Sequence, residues 1–382
     1  MNTVIPQDEL TEYLYDKASR RGIPLAGTFE LTPVCNFACR MCYVRQTDRQ
    51  VAESPRPILK PEDWLRIAEE AKKCGMLYLL ITGGEPFLYP DFWPLYEKLN
   101  AMGFVISINS NGSLLDEARV ERLAEKPPRK ISITLYGASD ETYEKLCGVR
   151  GGFGKVDRAI SLLQQAGIRV NLKCSLTPYN DGDLEQIIAY AKERDLELTV
   201  ASYMFPPIRR DEDATGRNEA RFSPEEAGAR RLRVYELQNS PEHYRKLLEK
   251  ICSSYSEPLG LLGNCQDVSD GRIRCRAGKS SFWITWDGRL TPCGMLPEPW
   301  TELTVCRPFE EAWASLRKLC GELRLSGLCS RCPDAGICHP CAAMSYAETG
   351  SFSGTPVYLC RAAKEMHRIA EETLCKPKDT EK

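Results

Sequence analysis

Strand-like and helix-like segments alternate over roughly the first 200 residues, and this limits the fold more than any other feature. Six short apolar segments are separated by amphipathic stretches, such as the one that begins at Pro61 and stops before Gly75. Six strand-then-helix units imply parallel strands. Because six is short of a closed eightfold barrel, we expect an α/β fold with a partial (β/α)6 TIM-like barrel. The predicted strands are residues 28–32, 77–82, 104–110, 131–136, 169–176 and 197–202.

Three closely spaced cysteines, Cys35, Cys39 and Cys42, follow the first predicted strand. A four-iron cluster normally takes four thiolates, so three with no fourth nearby leave one iron open to an exogenous ligand. The alternatives are a zinc knuckle or small buried apolar cysteines. Structural zinc needs a fourth Cys or His close by, and the nearest histidine is His243. The spacing therefore favours an iron–sulfur cluster with an open iron.

A second motif, Gly83, Gly84, Glu85 and Pro86, follows the second predicted strand. Glycines let the backbone approach a ligand closely, and a carboxylate can hold an ammonium group by a charge-assisted hydrogen bond. Taken alone, this sequence is usually only a turn. Its position at the carboxyl end of a strand, about 40 residues after the cysteines, indicates a binding site.

Together the two motifs resemble those of the radical SAM superfamily, whose enzymes bind S-adenosylmethionine on the open iron and cleave it reductively to a 5′-deoxyadenosyl radical. The resemblance implies the same partial barrel and an external one-electron donor of flavodoxin or ferredoxin type. It also implies further contacts with S-adenosylmethionine. The alternative is that these polar residues at strand ends only stabilise turns. These candidates are Ser110, Ser132 and Thr134 for the ribose or carboxylate, Arg169 for the carboxylate, and Met204 for adenine.

The last third of the chain carries a second cysteine pattern, which resembles the SPASM extension of radical SAM enzymes. That extension houses two auxiliary four-iron clusters. The usual spacing puts three residues between the fifth and sixth cysteines, whereas two separate Cys338 from Cys341. The pattern consists of Cys275, Cys293, Cys329, Cys332, Cys338, Cys341 and Cys360.

The resemblance implies how these cysteines divide between the two clusters. One cluster takes Cys329, Cys332, Cys338 and Cys360. The other takes Cys275, Cys293 and Cys341, with Cys265, Cys306 or the substrate as the fourth ligand. A pair of zinc ribbons is the alternative, because Cys-x2-Cys occurs twice. The expected cofactors are three 4Fe-4S clusters and S-adenosylmethionine.

Composition divides the chain into four predicted parts: an N-terminal extension at 1–25, the barrel at 26–205, a helical linker at 206–270, and a SPASM domain with a C-terminal helix at 271–382. Pro241 is expected to break the linker helix that begins at Pro224. The charged run at 209–213 is most simply interpreted as a solvated face.

Charge and hydropathy exclude several classes of protein. A net charge of −2 with 27% charged residues gives no electrostatic case for nucleic acid or a membrane surface. The chain has no run of 18 apolar residues and a polar start, so we expect a cytoplasmic protein. In a chain without a signal peptide, 18 cysteines indicate metal binding rather than disulfides.

Relatives with this plan act chiefly on peptides and proteins, so the leading hypothesis is radical modification of a ribosomal peptide by thioether or carbon–carbon crosslinking, oxidation or epimerisation. Only 34 residues precede Cys35, too few for the separate peptide-recognition domain that some relatives carry, so leader binding would need another surface or a separate leader-peptide-binding partner. The alternatives are modification of a tetrapyrrole or other small metabolite, an anaerobic sulfatase maturase, and a non-catalytic iron–sulfur scaffold. Sulfatase maturases have Asp where this chain has Gly294. No catalytic side chain is assigned.

Overall fold

The barrel strands lie where the sequence predicts them. This computed structural model describes residues 7–253, 271–273, 275–304 and 306–375. Within it six parallel strands stand in the order β6-β5-β4-β3-β2-β1, and each boundary lies within two residues of its predicted position. The strands are β1 (Ala26–Glu30), β2 (Tyr78–Thr82), β3 (Val105–Ser110), β4 (Lys130–Thr134), β5 (Val170–Ser175) and β6 (Glu197–Ala201).

Helices connect these strands and continue into the second half of the chain. They are α1 (Gln7–Arg21), α2 (Asp48–Ala52), α3 (Pro61–Lys73), α4 (Phe92–Ala101), α5 (Glu117–Glu125), α6 (Asp140–Cys147), α7 (Gly152–Gln165), α8 (Leu184–Glu193), α9 (Pro224–Gln238), α10 (Pro241–Ser253), α11 (Phe309–Glu322), α12 (Gly327–Ser330), α13 (Ala335–Cys338), α14 (Ala342–Thr349) and α15 (Val357–Cys375).

The main core lies between the sheet and the helices around it. On α3, the predicted apolar face is fully buried, and the Trp64 ring lies 4.8 Å from the Phe29 ring of β1, centroid to centroid. Successive side chains of a strand point to opposite faces. Glu30, which follows Phe29, therefore points into the barrel.

Three further strands extend the same sheet beyond β1, and the sequence did not predict them. They are β7 (Ser281–Ile284), β8 (Arg289–Thr291) and β9 (Thr301–Glu302). β7 pairs with β1 in parallel, with Ala26 opposite Ser281 and Phe29 opposite Ile284. β8 and β9 follow antiparallel. The cysteine-rich region therefore begins as a continuation of the barrel sheet.

The linker helix breaks at Pro241, as predicted. α9 ends at Gln238, and Pro241 is the first residue of α10, a position where its missing N–H costs little. α15 packs along both helices, and the buried side chains there include Leu232, Leu248 and Met366.

None of the helices in the described ranges is long and apolar enough to cross a membrane.

Candidate functional site

The three N-terminal cysteines lie on the loop that leaves the carboxyl end of β1. The Phe37 N–H donates to Cys35 Sγ at 3.4 Å, and the Arg45 N–H donates to Cys42 Sγ at 3.3 Å. Backbone donors aimed at sulfur favour the thiolate form that metals bind. All three side chains are partly buried, and burial raises the pKa of Cys35 to about 12. A cationic iron centre would offset this penalty, so the donor set fits a four-iron cluster.

The cysteine loop is anchored to the end of α6. The Ala38 N–H donates to the Cys147 carbonyl at 2.8 Å, and the Arg40 N–H donates to the Leu146 carbonyl at 3.0 Å. A hydrogen bond between the Cys39 and Cys147 thiols, together with burial, raises the pKa of Cys39 well above its usual range. Cys147 is not among the predicted site residues, because nothing in its local sequence pattern places it beside this loop.

A zinc knuckle requires four ligand atoms around one point. Among the residues that the structure describes, no three His, Cys, Asp or Glu side chains converge closely enough to hold a single metal ion. A four-iron cluster instead distributes its thiolates over separate irons.

The two glycines of the second motif pack against the cysteine loop itself. The Gly84 N–H donates to the Thr32 carbonyl at 2.6 Å, and the Glu85 N–H donates to the Val34 carbonyl at 2.9 Å. A Cβ on Gly84 would lie 2.3 Å from the Val34 oxygen, and one on Gly83 would lie 2.6 Å from the Thr32 oxygen. Close approach of the two loops thus requires glycine at both positions, whether or not a ligand is bound.

Replacing Gly84 by alanine is therefore expected to displace the cysteine loop. Neither the added Cβ nor the backbone carbonyl it meets can move independently, so the strain falls on residues 32–35. We expect the reconstituted Gly84→Ala protein to lose about four irons, measured by iron and sulfide analysis. The matched control is Gly154→Ala, where a Cβ meets nothing within 4 Å. Full iron content in Gly84→Ala would contradict this explanation.

Glu85 is fully buried and accepts three hydrogen bonds. Its carboxylate receives the Ser110 hydroxyl at 2.9 Å, the Asn111 N–H at 2.8 Å and the Phe87 N–H at 3.3 Å. Burial raises the pKa of Glu85 to about 7, while these donors oppose the rise. The side chain thus joins the β2 loop to the end of β3, and the Ser110 hydroxyl is used in holding it.

Asn111 is a site residue that the sequence analysis did not single out. Its side-chain amide donates to Asn36 Oδ1 at 2.9 Å and lies 3.6 Å from Cys35 Sγ, while its backbone holds Glu85. The only sequence signal was its place in the polar turn after β3.

The remaining predicted contacts do not all lie at one end of the barrel. Thr134 ends β4, and Ser132 shares its face of that strand. Met204 is buried beyond β6, at the same carboxyl edge. Arg169, in contrast, precedes β5 at the opposite edge, and its guanidinium lies 3.6 Å from the Glu197 carboxylate. The structure therefore does not bring Arg169 to the cysteine loop.

The C-terminal cysteines fall into two groups. Burial, with the neighbouring Cys341 and Cys275 thiols, raises the pKa of Cys293 to about 12. Burial, with Cys360, Cys329 and Cys332 nearby, raises the pKa of Cys338 to about 12. In the second group the Cys332 N–H donates to the Cys329 carbonyl, and Cys360 joins from α15.

The fourth ligand of the Cys275 group stays a prediction. Cys306 is exposed, and Cys265 lies outside the described residues. Cys320, buried on α11, packs against Gly278, where an added Cβ would lie 2.4 Å from its sulfur.

A buried ion pair lies beside Cys293, where the sequence predicted a solvated face. Arg209 donates to both Glu30 oxygens, at 3.0 and 2.9 Å, and to the Gly294 carbonyl at 2.8 Å. The interpretation of residues 209–213 as a solvated face was wrong for Arg209, whose side chain is only 8% exposed. A run of like and unlike charges does not reveal that one member enters the interior. The available signal was Glu30, an acidic residue ending an apolar strand.

Comparison with known proteins identifies a family resemblance over the barrel. The model of the Radical SAM superfamily matches residues 29–191. The AdoMet-dependent heme synthase of Methanosarcina barkeri is 24% identical over 85% of this chain and 93% of its own length. The antilisterial bacteriocin subtilosin biosynthesis protein AlbA of Bacillus subtilis is 24% identical over 84% of this chain and 67% of its own length.

Solved structures share the fold of nearly the whole chain. The structure of native anSMEcpe with bound AdoMet has a TM-score of 0.66 at 20% identity, covering 92% of this chain and 98% of that one. Streptococcus suis SuiB bound to its precursor peptide SuiA has a TM-score of 0.64 at 20% identity, covering 93% of this chain and 80% of that one. The expected partial barrel followed by a cysteine-rich SPASM-type region is thereby confirmed.

Proposed function

The chain belongs to the Radical SAM superfamily, and we propose that it binds S-adenosylmethionine at a 4Fe-4S cluster held by Cys35, Cys39 and Cys42 in order to modify a peptide. The observation that carries this proposal is the loop that sets the three cysteines against Gly83 and Gly84 at the carboxyl edge of the barrel. When bound, the cluster supplies the electron that cleaves the sulfonium to methionine and a 5′-deoxyadenosyl radical, which takes a hydrogen atom from the substrate. A flavodoxin- or ferredoxin-type protein is the proposed electron donor.

Glu85 is proposed to hold the ammonium of the methionine moiety. Ser110 and Asn111 fix the carboxylate in place, and a nearby ammonium would favour its ionised form against the burial that favours the neutral one. Pro86, directly after it, begins a short 3₁₀ turn that orients the loop. Ser132 and Thr134 are proposed for the ribose or carboxylate and Met204 for adenine. Arg169 is left out because of its position.

Two auxiliary 4Fe-4S clusters are proposed at the C-terminal cysteines. Cys275, Cys293 and Cys341 would hold one cluster, and the other set consists of Cys329, Cys332, Cys338 and Cys360. The mutual proximity within each group supports this division. Such clusters can accept the electron released when a substrate radical is oxidised, since their potentials span a wide range.

A peptide is the substrate class that we favour. AlbA takes part in bacteriocin biosynthesis, and SuiB has been solved with its precursor peptide. A separate leader-peptide-binding partner is part of the proposal. A sulfatase-maturase role is disfavoured by Gly294, because its Cα packs on the Trp283 indole and a Cβ would lie 2.8 Å from three ring atoms. The aspartate that those relatives carry would not fit.

Tetrapyrrole modification is the second candidate. The heme synthase of Methanosarcina barkeri matches over nearly its whole length, so the two chains are of similar extent as well as similar sequence. The non-catalytic scaffold, in contrast, gives no reason for Glu85 and the cysteine loop to be held together.

The test is anaerobic incubation of reconstituted protein with S-adenosylmethionine and dithionite, with either a precursor peptide encoded beside its gene or a porphyrin. We expect the peptide to raise 5′-deoxyadenosine formation at least about tenfold. A crosslinked product would lack two hydrogen atoms, and an epimerised product would gain solvent deuterium. Stimulation by the porphyrin alone would favour the second candidate. No 5′-deoxyadenosine under any condition would refute the radical mechanism.

A further inference from the structure

The ion pair between Glu30 and Arg209 is buried, and several hydrogen bonds hold it in place. Glu30 is 0% exposed. In addition to both contacts with Arg209, it accepts the Trp283 indole N–H at 2.8 Å. The guanidinium makes its third contact with the Gly294 carbonyl. These residues come from β1, from the loop after β6, from β7 and from the loop after β8, so the network joins the barrel to the cysteine-rich region.

This network lies between the two cysteine loops. Gly294 directly follows Cys293, and Tyr43 directly follows Cys42. The Tyr43 ring centroid lies 5.9 Å from the Arg209 guanidinium carbon. Burial raises the pKa of the Tyr43 hydroxyl, and the charged groups that act on it next are Arg209 and Glu30. The ion pair thus contacts the neighbour of a cysteine from each loop.

The ion pair is also oriented. Its positive end donates to the carbonyl of the residue after Cys293, whereas its negative end accepts from Arg209 and Trp283. A neutral pair of this kind acts as a dipole directed at whatever Cys293 binds. Positive charge near an iron–sulfur cluster stabilises the reduced form, because reduction adds negative charge.

We propose that Glu30 and Arg209 are positioning residues that fix the Cys293 loop on the barrel and raise the reduction potential of the auxiliary cluster bound there. This inference rests on the proposed function, since it requires that cluster. Stability alone is a weak reason for such a pair, because apolar residues of similar volume commonly replace buried ion pairs without loss. The hydrogen bond to the Gly294 carbonyl places the charge of Arg209 beside the Cys293 loop, where it can act on a cluster bound there.

The test is a redox titration of the reconstituted full-length protein monitored by electron paramagnetic resonance, with the cluster assigned by its loss in Cys293→Ala. Arg209→Gln removes the positive end, so we expect the potential to move to lower values. Glu30→Gln removes the negative end, so we expect it to move to higher values. The double variant Glu30→Gln/Arg209→Gln removes both charges and is expected to lie between the two single variants. Opposite shifts distinguish tuning from structural damage, which has no reason to change sign.

The matched control is Arg221→Gln. Arg221 and Glu348 form another buried pair, with side chains 12% and 6% exposed, and Arg221 donates to Glu348 and to the Gly216 carbonyl rather than to the Cys293 loop. We expect this variant to lose stability without moving the potential. Equal potentials in all variants, or shifts of one sign in both single variants, would overturn the inference. If a single variant loses its iron, the double variant is compared with Arg209→Lys, because the double variant leaves no buried charge unpaired. Equal potentials in these two proteins would overturn the inference. A lower potential in the double variant would uphold the inference.

Different results would refute the auxiliary clusters and the tuning role. Iron content of only about four per chain in the unsubstituted protein would refute the auxiliary clusters themselves. Iron content of about twelve with unmoved potentials would refute the tuning role alone.

Discussion

Replacement of Cys35, Cys39 and Cys42 together by alanine is expected to abolish 5′-deoxyadenosine formation. The three thiols are the only protein ligands proposed for the cluster that binds S-adenosylmethionine, and no further cysteine follows on their loop. We expect iron to fall from about twelve to about eight per chain, because the C-terminal groups keep their clusters. The chain should remain folded, since the three side chains are only partly buried and the fully buried core near them is made by other residues.

The measurement is iron and acid-labile sulfide after anaerobic reconstitution, together with 5′-deoxyadenosine formation. A matched control replaces three cysteines outside the proposed sites, namely Cys74 at the end of α3, Cys252 in α10 and Cys375 at the end of α15. That control is expected to keep all its iron and activity. Continued 5′-deoxyadenosine formation by the N-terminal variant would refute the assignment of the cluster.

The barrel could be predicted because each of its elements is encoded locally. Short apolar strands end at turns, and α3 carries Trp64 and Ile67 on one face between Pro61 and Gly75. The break at Pro241 follows from a missing backbone N–H. Such signals lie within a few residues of the structure that they specify, so the six strand boundaries are accurate to within two residues.

The extension of the sheet by β7 could not be predicted in the same way. A four-residue strand has little periodicity, and its pairing with β1 joins residues about 255 positions apart, as in Ala26 and Ser281. The burial of Arg209 has the same origin. Its partner Glu30 is 179 residues away, and nothing in the local charge pattern distinguishes Arg209 from Arg210.

The motif glycines show a different limit of sequence analysis. Gly83 and Gly84 were expected to let the backbone approach a ligand. The structure gives a reason for glycine at both positions that does not involve a ligand, since a Cβ on either would meet the backbone of the cysteine loop. A motif can thus mark the correct site although contacts within the protein, rather than the ligand, already require its glycines.

Removal of the second auxiliary group is expected to separate radical formation from product formation. In a variant with Cys329, Cys332, Cys338 and Cys360 replaced by alanine, we expect about eight irons per chain. The cysteine loop after β1 is anchored by α6 and by the glycine turn, and none of these contacts involves the C-terminal cysteines. Cleavage of S-adenosylmethionine should therefore continue, while substrate product should fall at least about a hundredfold because the electron released from the substrate can no longer pass through this cluster.

The readout is the ratio of modified peptide to 5′-deoxyadenosine, which a general loss of activity would leave unchanged. The proposed cluster would also connect α12 and α13 to α15, which carry Cys329, Cys338 and Cys360, so a single Cys338→Ala variant serves as a milder test of the same step. The conservative control is Ser330→Ala, a neighbouring change on α12 that removes no thiol. If the four-cysteine variant keeps twelve irons, these residues are not ligands. If it loses iron but keeps the product ratio, the cluster has a structural role, because electron transfer through it would then be dispensable.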